Sequence, residues 1–178
     1  MFRTIPFLAA GLSLLLGMTG ARAQAPDLRL EEFFKGRTYA YGWFGAINGT
    51  SRRFKVVLDG RWNGEVLTLR EAFEYEDGEK DVKTWRFRKT GPATYIGTRE
   101  DVIGETVVTL DGPRATFAYD VNLTPKAAPT IVRFSDTLFL PGDGTLRNTA
   151  WVSRWHLPVA RVNVNFARTE EAARAIRP

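Results

Sequence analysis

The chain contains no cysteine and a single histidine, His156. The first absence excludes disulfides, a thiolate nucleophile, Cys-ligated zinc and iron–sulfur clusters. The second excludes a metal site built on two or three histidines. Charge of one sign is also scarce: 25 Lys and Arg stand against 20 Asp and Glu over 178 residues, a formal +5. The basic residues alternate with apolar ones instead of clustering, so the footprint of a nucleic-acid binder is missing. Hydrophobic residues make up 44% and aromatics 12%, which excludes disorder and suffices for a packed core.

The first residues read as an export signal. Arg3 supplies a short positive region, and Thr4 to Gly20 carries no charge. Ala21-Arg22-Ala23 then gives the small-x-small pattern of a cleavage site, with Gln24 as the expected first mature residue. An uncleaved anchor is the alternative, but a membrane span needs roughly 20 apolar residues and the run is short for one. Residues 1–23 are therefore expected to be a secretory signal peptide and 24–178 a single domain. The expected location is the periplasm or the exterior, with no membrane span after cleavage. No cysteine lies near the site, so a lipoprotein anchor is not expected.

Leu28 to Phe34 reads as an amphipathic opener, one helical turn that plugs a core with Phe33 and Phe34. Beyond Gly36 the apolar period becomes two. Tyr39, Tyr41 and Trp43 alternate, then Phe54, Val56 and Leu58, then Leu67, Leu69, Glu71, Phe73 and Tyr75. Further alternating sets run through Trp85 and Phe87, around Tyr95, Val107 to Leu110, Ala115 to Val121, Val132 to Leu140, Ala150 to Arg154, and Val162 to Phe166. Asn48-Gly49, Asp77-Gly78 and Asp111-Gly112 are hairpin dipeptides between them. Strands at roughly 8–14-residue spacing with short turns predict an all-β fold. The economical arrangement is a single antiparallel up-and-down barrel of about 8–10 strands, which hides its own edges. Thr169 to Pro178 reads as a frayed helical tail.

Several stretches together resemble a bacterial family catalogued as domain of unknown function 3833. They are Leu30-Glu31-Glu32-Phe33-Phe34-Lys35-Gly36, Arg52-Arg53-Phe54-Lys55-Val56, Gly60-Arg61-Trp62-Asn63-Gly64 and Leu67 to Gly78. Trp85, the run Tyr95 to Gly104, Ser135-Asp136 and Asn148 complete the pattern, which covers about Leu28 to Phe166. The resemblance implies a small exported protein with a lipocalin-like barrel and a biochemical role that is not established. Many relatives are lipoproteins, and this chain lacks the cysteine for that. It also carries Ser135 where many relatives have a second Asp, which weakens any role needing paired carboxylates there.

The informative feature for function is charge at apolar parity. Glu71 falls between Leu69 and Phe73, Asp136 between Phe134 and Leu138, and Arg154 follows Ala150 and Val152. A buried carboxylate without a partner costs several kcal/mol or neutralises, so Arg154 is the expected partner. A bulge that reverses the parity, a position at the rim, or a purely structural salt-bridge cluster would explain the same pattern. The candidate ligand-binding residues are Glu71, Phe73, Tyr75, Asp136 and Arg154, anchoring a small apolar or lipid-like ligand. A filled barrel that acts as a structural or interaction protein of the envelope is the alternative.

Catalysis ranks third. No spacing supports an acid–base pair of carboxylates, and no serine sits in a Gly-x-Ser-x-Gly elbow that His156 could serve. Catalytic residues, metal and cofactor are each expected to be none. Asp101 is expected to cap a turn, and the aromatics, Trp151 and Trp155 among them, are expected to pack in the core or at the barrel ends.

Overall fold

The computed structural model describes residues 26–124 and 128–175; the expected signal peptide lies outside them. Two-residue alternation builds strands β1 (Gly36–Ala46), β2 (Ser51–Trp62), β3 (Val66–Tyr75), β4 (Lys80–Gly91) and β5 (Thr94–Thr98). It continues in β6 (Thr106–Asp111), β7 (Arg114–Asn122), β8 (Ile131–Phe139), β9 (Leu146–Arg154) and β10 (Leu157–Ala167). Each strand pairs antiparallel with the next, and β1 pairs with β10 from Tyr39–Ala167 to Ala46–Ala160, closing the barrel. Closure satisfies the backbone groups that an open sheet would leave at its edges.

In a closed meander the connections alternate between the two ends. One end is stoppered by helix α1 (Leu30–Phe34). The Leu28 amide donates to the Gly112 carbonyl at 2.8 Å, which ties the stopper to the β6–β7 turn. Leu28, Leu30 and Phe34 are buried, and Phe34 meets Phe166 of the last strand edge-on at 5.5 Å. Gly60 makes this fit: a Cβ there would stand 1.8 Å from the Phe34 carbonyl oxygen. Glu31 enters the same seal as a charge. Lys89 donates to it at 2.5 Å and the buried Tyr95 hydroxyl donates to its other oxygen. Burial raises the Glu31 pKa, but these two donors outweigh it and hold the carboxyl below its usual range.

As far as Ala175 the tail is more ordered than its sequence suggests; residues 176–178 lie outside those described. Helix α2 (Glu170–Ala175) starts at Thr169, whose hydroxyl accepts from the Ala172 amide at 3.2 Å. Tyr41 donates to Glu170 at 2.5 Å, and Arg174 donates to the Tyr41 oxygen at 2.6 Å. The parity of β1 explains this docking. Ala40 and Gly42 face inward, and Tyr39, Tyr41 and Trp43 lie on the outer face. The Phe54 ring fills the space before Gly42, so a Cβ there would stand 2.3 Å from it. Large aromatics are thereby displaced outward, against the expectation of a core position.

The other end is open. The β9–β10 hairpin there has only Trp155 and His156 between the paired Arg154 and Leu157. Both tip residues hold positive φ, 50° and 66°, the backbone of a type I′ turn without its usual Asn-Gly. Trp155 is 78% exposed and Trp151 also faces solvent, so these two tryptophans are not core residues.

Candidate functional site

The open end leads into a cavity of about 940 Å³. Ile47, Asn48, Leu123 and Thr130 stand at its mouth, and Phe34, Leu30 and Phe166 form its floor. Its walls are mainly apolar and aromatic. Trp85 and Phe87 stack at 5.0 Å, Trp85 meets Tyr119 edge-on at 5.1 Å, and Tyr119 stacks on Phe134 at 5.4 Å. All five sequence candidates, Glu71, Phe73, Tyr75, Asp136 and Arg154, line this cavity.

They do not form one cluster. Glu71 faces Arg99, with its carboxylate 4.0 Å from the guanidinium, and both side chains are only 12% exposed. Arg99 also clamps Asp101, at 2.6 and 3.3 Å, and lies 4.7 Å over the Trp85 ring. Lys83 bridges Asp81 at 3.1 Å and Asp101 at 3.3 Å. Asp101 is therefore an ion-pair partner inside the cavity and not simply a turn cap. Arg154, the expected partner of the buried acids, sits elsewhere. It ends β9 at the mouth with its guanidinium 4.2 Å over Trp155, whereas Glu71 lies four residues down from the mouth end of β3. Tyr75 and Phe73 stack at 6.0 Å near the mouth, and Arg52 covers the Tyr75 ring at 3.7 Å.

Asp136 occupies the opposite wall, only 6% exposed, at mid-strand in β8. The Asn148 side-chain amide donates to its Oδ1 at 2.6 Å. Its Oδ2 and the Asn148 Oδ1 are buried without a hydrogen-bond partner. Burial pushes the Asp136 pKa up to about 6; the Asn148 amide, the Arg99 charge and the Tyr119 hydroxyl limit the rise. Burial pushes Glu71 further, to about 7, against Arg99 and with help from Asp101, Asp136 and Glu100. Burial also works against the Arg99 charge, but Tyr119, Glu71 and Asp101 more than offset it, so Arg99 stays protonated.

Arg99, Lys83, Tyr119 and Asn148 were not singled out as chemistry by sequence reasoning. Arg99 continues the inward parity of Tyr95 and Gly97, but it lies one residue past the end of β5, where a turn was expected. Tyr119 shares its parity with Ala115 and Val121, so it reads as core. Among the described residues no group of three or more His, Asp or Glu side chains is arranged to hold a metal ion.

The closed antiparallel barrel with a stoppered end and an open cavity defines a lipocalin-like protein. Similar structures support that class at low sequence identity. An S-type phycobiliprotein lyase from Guillardia theta matches with a TM-score of 0.56 at 10% identity, covering 80% of this chain and 94% of its own. Rv2717c from M. tuberculosis matches with a TM-score of 0.55 at 14% identity, covering 78% and 94%. The chain belongs to the family described as protein of unknown function (DUF3833), whose pattern matches residues 13–168. No curated protein matches the sequence.

Proposed function

We propose that this protein is an exported binding module that holds one small, largely apolar or lipid-like ligand inside its barrel. The observation that carries this reading is the open cavity of about 940 Å³, with apolar walls and a few converging polar groups. Its size falls in the range of pockets that enclose a single small molecule. Phe73, Tyr75, Trp85 and Phe134 would contact the apolar body, while Glu71, Asp136 and Arg99 would meet polar groups inside and Arg154 would do so at the mouth. The barrel fold shared with the phycobiliprotein lyase is compatible with this use of the interior. The filled-barrel alternative is disfavoured by the same open volume.

Export belongs to the proposal: residues 1–23 direct the chain to the periplasm. Both parts are tested by purifying the protein from the periplasmic fraction of its own host and recording native mass spectra. The expected result is a chain beginning at Gln24 that carries a stoichiometric apolar adduct, released by solvent extraction. A full-length chain would overturn the export reading. A bare chain that also takes up none of a panel of lipid extracts would overturn the binding reading.

A further inference from the structure

From the imbalance of charge and hydrogen bonding inside the cavity, we infer that its ligand is an apolar chain or ring ending in a hydrogen-bond donor, best an ammonium group, seated on Asp136 and Asn148. This inference deepens the binding reading above and rests on it.

The inner cations are already engaged. Arg99 is held by Asp101 and faces Glu71, and Lys83 is shared between Asp81 and Asp101. Arg52, nearer the mouth, is clamped by Asp77 at 2.7 Å and Glu79 at 2.5 Å. A ligand carboxylate or phosphate seated inside would have to displace one of these carboxylates to reach a cation; Arg154, which none of them holds, lies at the mouth. Asp136, by contrast, is nearly fully buried with no ion-pair partner among the described residues; the Arg99 charge and the Tyr119 hydroxyl favour its ionised form, but neither makes a direct hydrogen bond to Oδ2.

What remains unmet at Asp136 is acceptor capacity only. A carboxylate oxygen has no proton to give. Because Asp136 Oδ1 accepts from Asn148, the amide must turn its NH₂ group toward the acid, which leaves the amide oxygen as a second acceptor. Both orphaned atoms, Asp136 Oδ2 and Asn148 Oδ1, therefore call for donors. An acceptor left unmade in a buried site carries its full desolvation cost, and a charged donor satisfies it best. The neighbouring rings of Tyr119 and Phe134 line the same cavity and offer apolar contact next to the polar seat.

The inference is tested with three probes of equal chain length: dodecylammonium, dodecanol and dodecanoate. Each is titrated below its micelle concentration into delipidated protein at pH 7.5, by calorimetry or by Trp fluorescence. The expected order is dodecylammonium, then dodecanol, then dodecanoate, with at least a tenfold gap between the first and the last. Asp136→Asn keeps the shape of the site and is expected to reduce that gap to less than threefold while dodecanol still binds.

Equal or tighter binding of dodecanoate to the wild-type protein overturns the donor-ligand inference and leaves the binding reading standing. A tenfold ammonium preference that survives in Asp136→Asn also overturns it, since the preference would then arise away from Asp136. Failure of all three probes to bind overturns the binding reading for chain-like ligands and this inference with it. The comparison among probes on the wild-type protein remains decisive even if the variant does not fold.

Discussion

Glu71 shows what a single residue in this barrel has to tolerate. Its carboxyl is enclosed, and Arg99 at 4.0 Å is too far for a close hydrogen bond, so burial wins and the pKa rises to about 7. The sign of the consequence follows from linkage. Between its ordinary value of 4.5 and about 7 the folded state holds the Glu71 proton more tightly than the unfolded state does. Stability conferred through this group is thus present at low pH and lost as pH rises through that window. Glu71→Gln removes the titration. Relative to wild type, the variant should gain stability between pH 5 and pH 8, on the order of 2 kcal/mol in urea unfolding. A constant difference across that range would show that Glu71 is ionised throughout.

That such a charge sits inside was legible, because Glu71 and Asp136 interrupt apolar alternation in the sequence. Its partner was not. Arg99 keeps the inward parity of β5 but follows its end, where a turn was expected, and the tertiary fold alone brings it to Glu71.

At the scale of elements, two short pieces carry unusual demands. The first is the contact of α1 with β2. Gly60 leaves no room for a methyl group against the Phe34 carbonyl, and backbone on both sides prevents a cheap adjustment. Gly60→Ala should therefore lift the stopper and lower stability by about 1–3 kcal/mol, the usual cost of overpacking. Protection of the Leu28 amide against hydrogen exchange, which reports its bond to Gly112, should fall with it. Unchanged protection would mean that α1 does not depend on this contact.

The second is the Trp155-His156 tip, with both residues in the left-handed region. That backbone costs an ordinary L-residue roughly 1–2 kcal/mol. His156→Gly should raise stability by about 1 kcal/mol in thermal or chemical unfolding, after the extra entropy of a glycine is counted. A loss would show that the imidazole makes a stabilising contact. Element boundaries were largely readable because the hairpin dipeptides are strong signals. The inversion of β1 was not. Three aromatics at one parity read as a core face, yet the space inside is taken by Phe54, so Ala40 and Gly42 turn inward.

At the scale of the whole molecule, the up-and-down closed barrel was legible from short turns and regular spacing alone. Whether it encloses a void was not. Alternation says which side chains point inward, but the volume left among them depends on strand number and stagger. With ten strands the wall is too wide for Phe, Leu and Val to meet at the centre, and the cavity follows.

Closure by β1 and β10 also sets an order on assembly. Every other pairing joins consecutive strands, but this one joins the two extremes of the sequence. A chain emerging N-terminus first holds β1 unpaired on one side until the last strand has been made. Product stopped before Leu157 would present two raw rows of N–H and C=O groups, along β1 and β9, to any neighbouring strand. Premature termination is therefore expected to expose both edges to pairing with other chains.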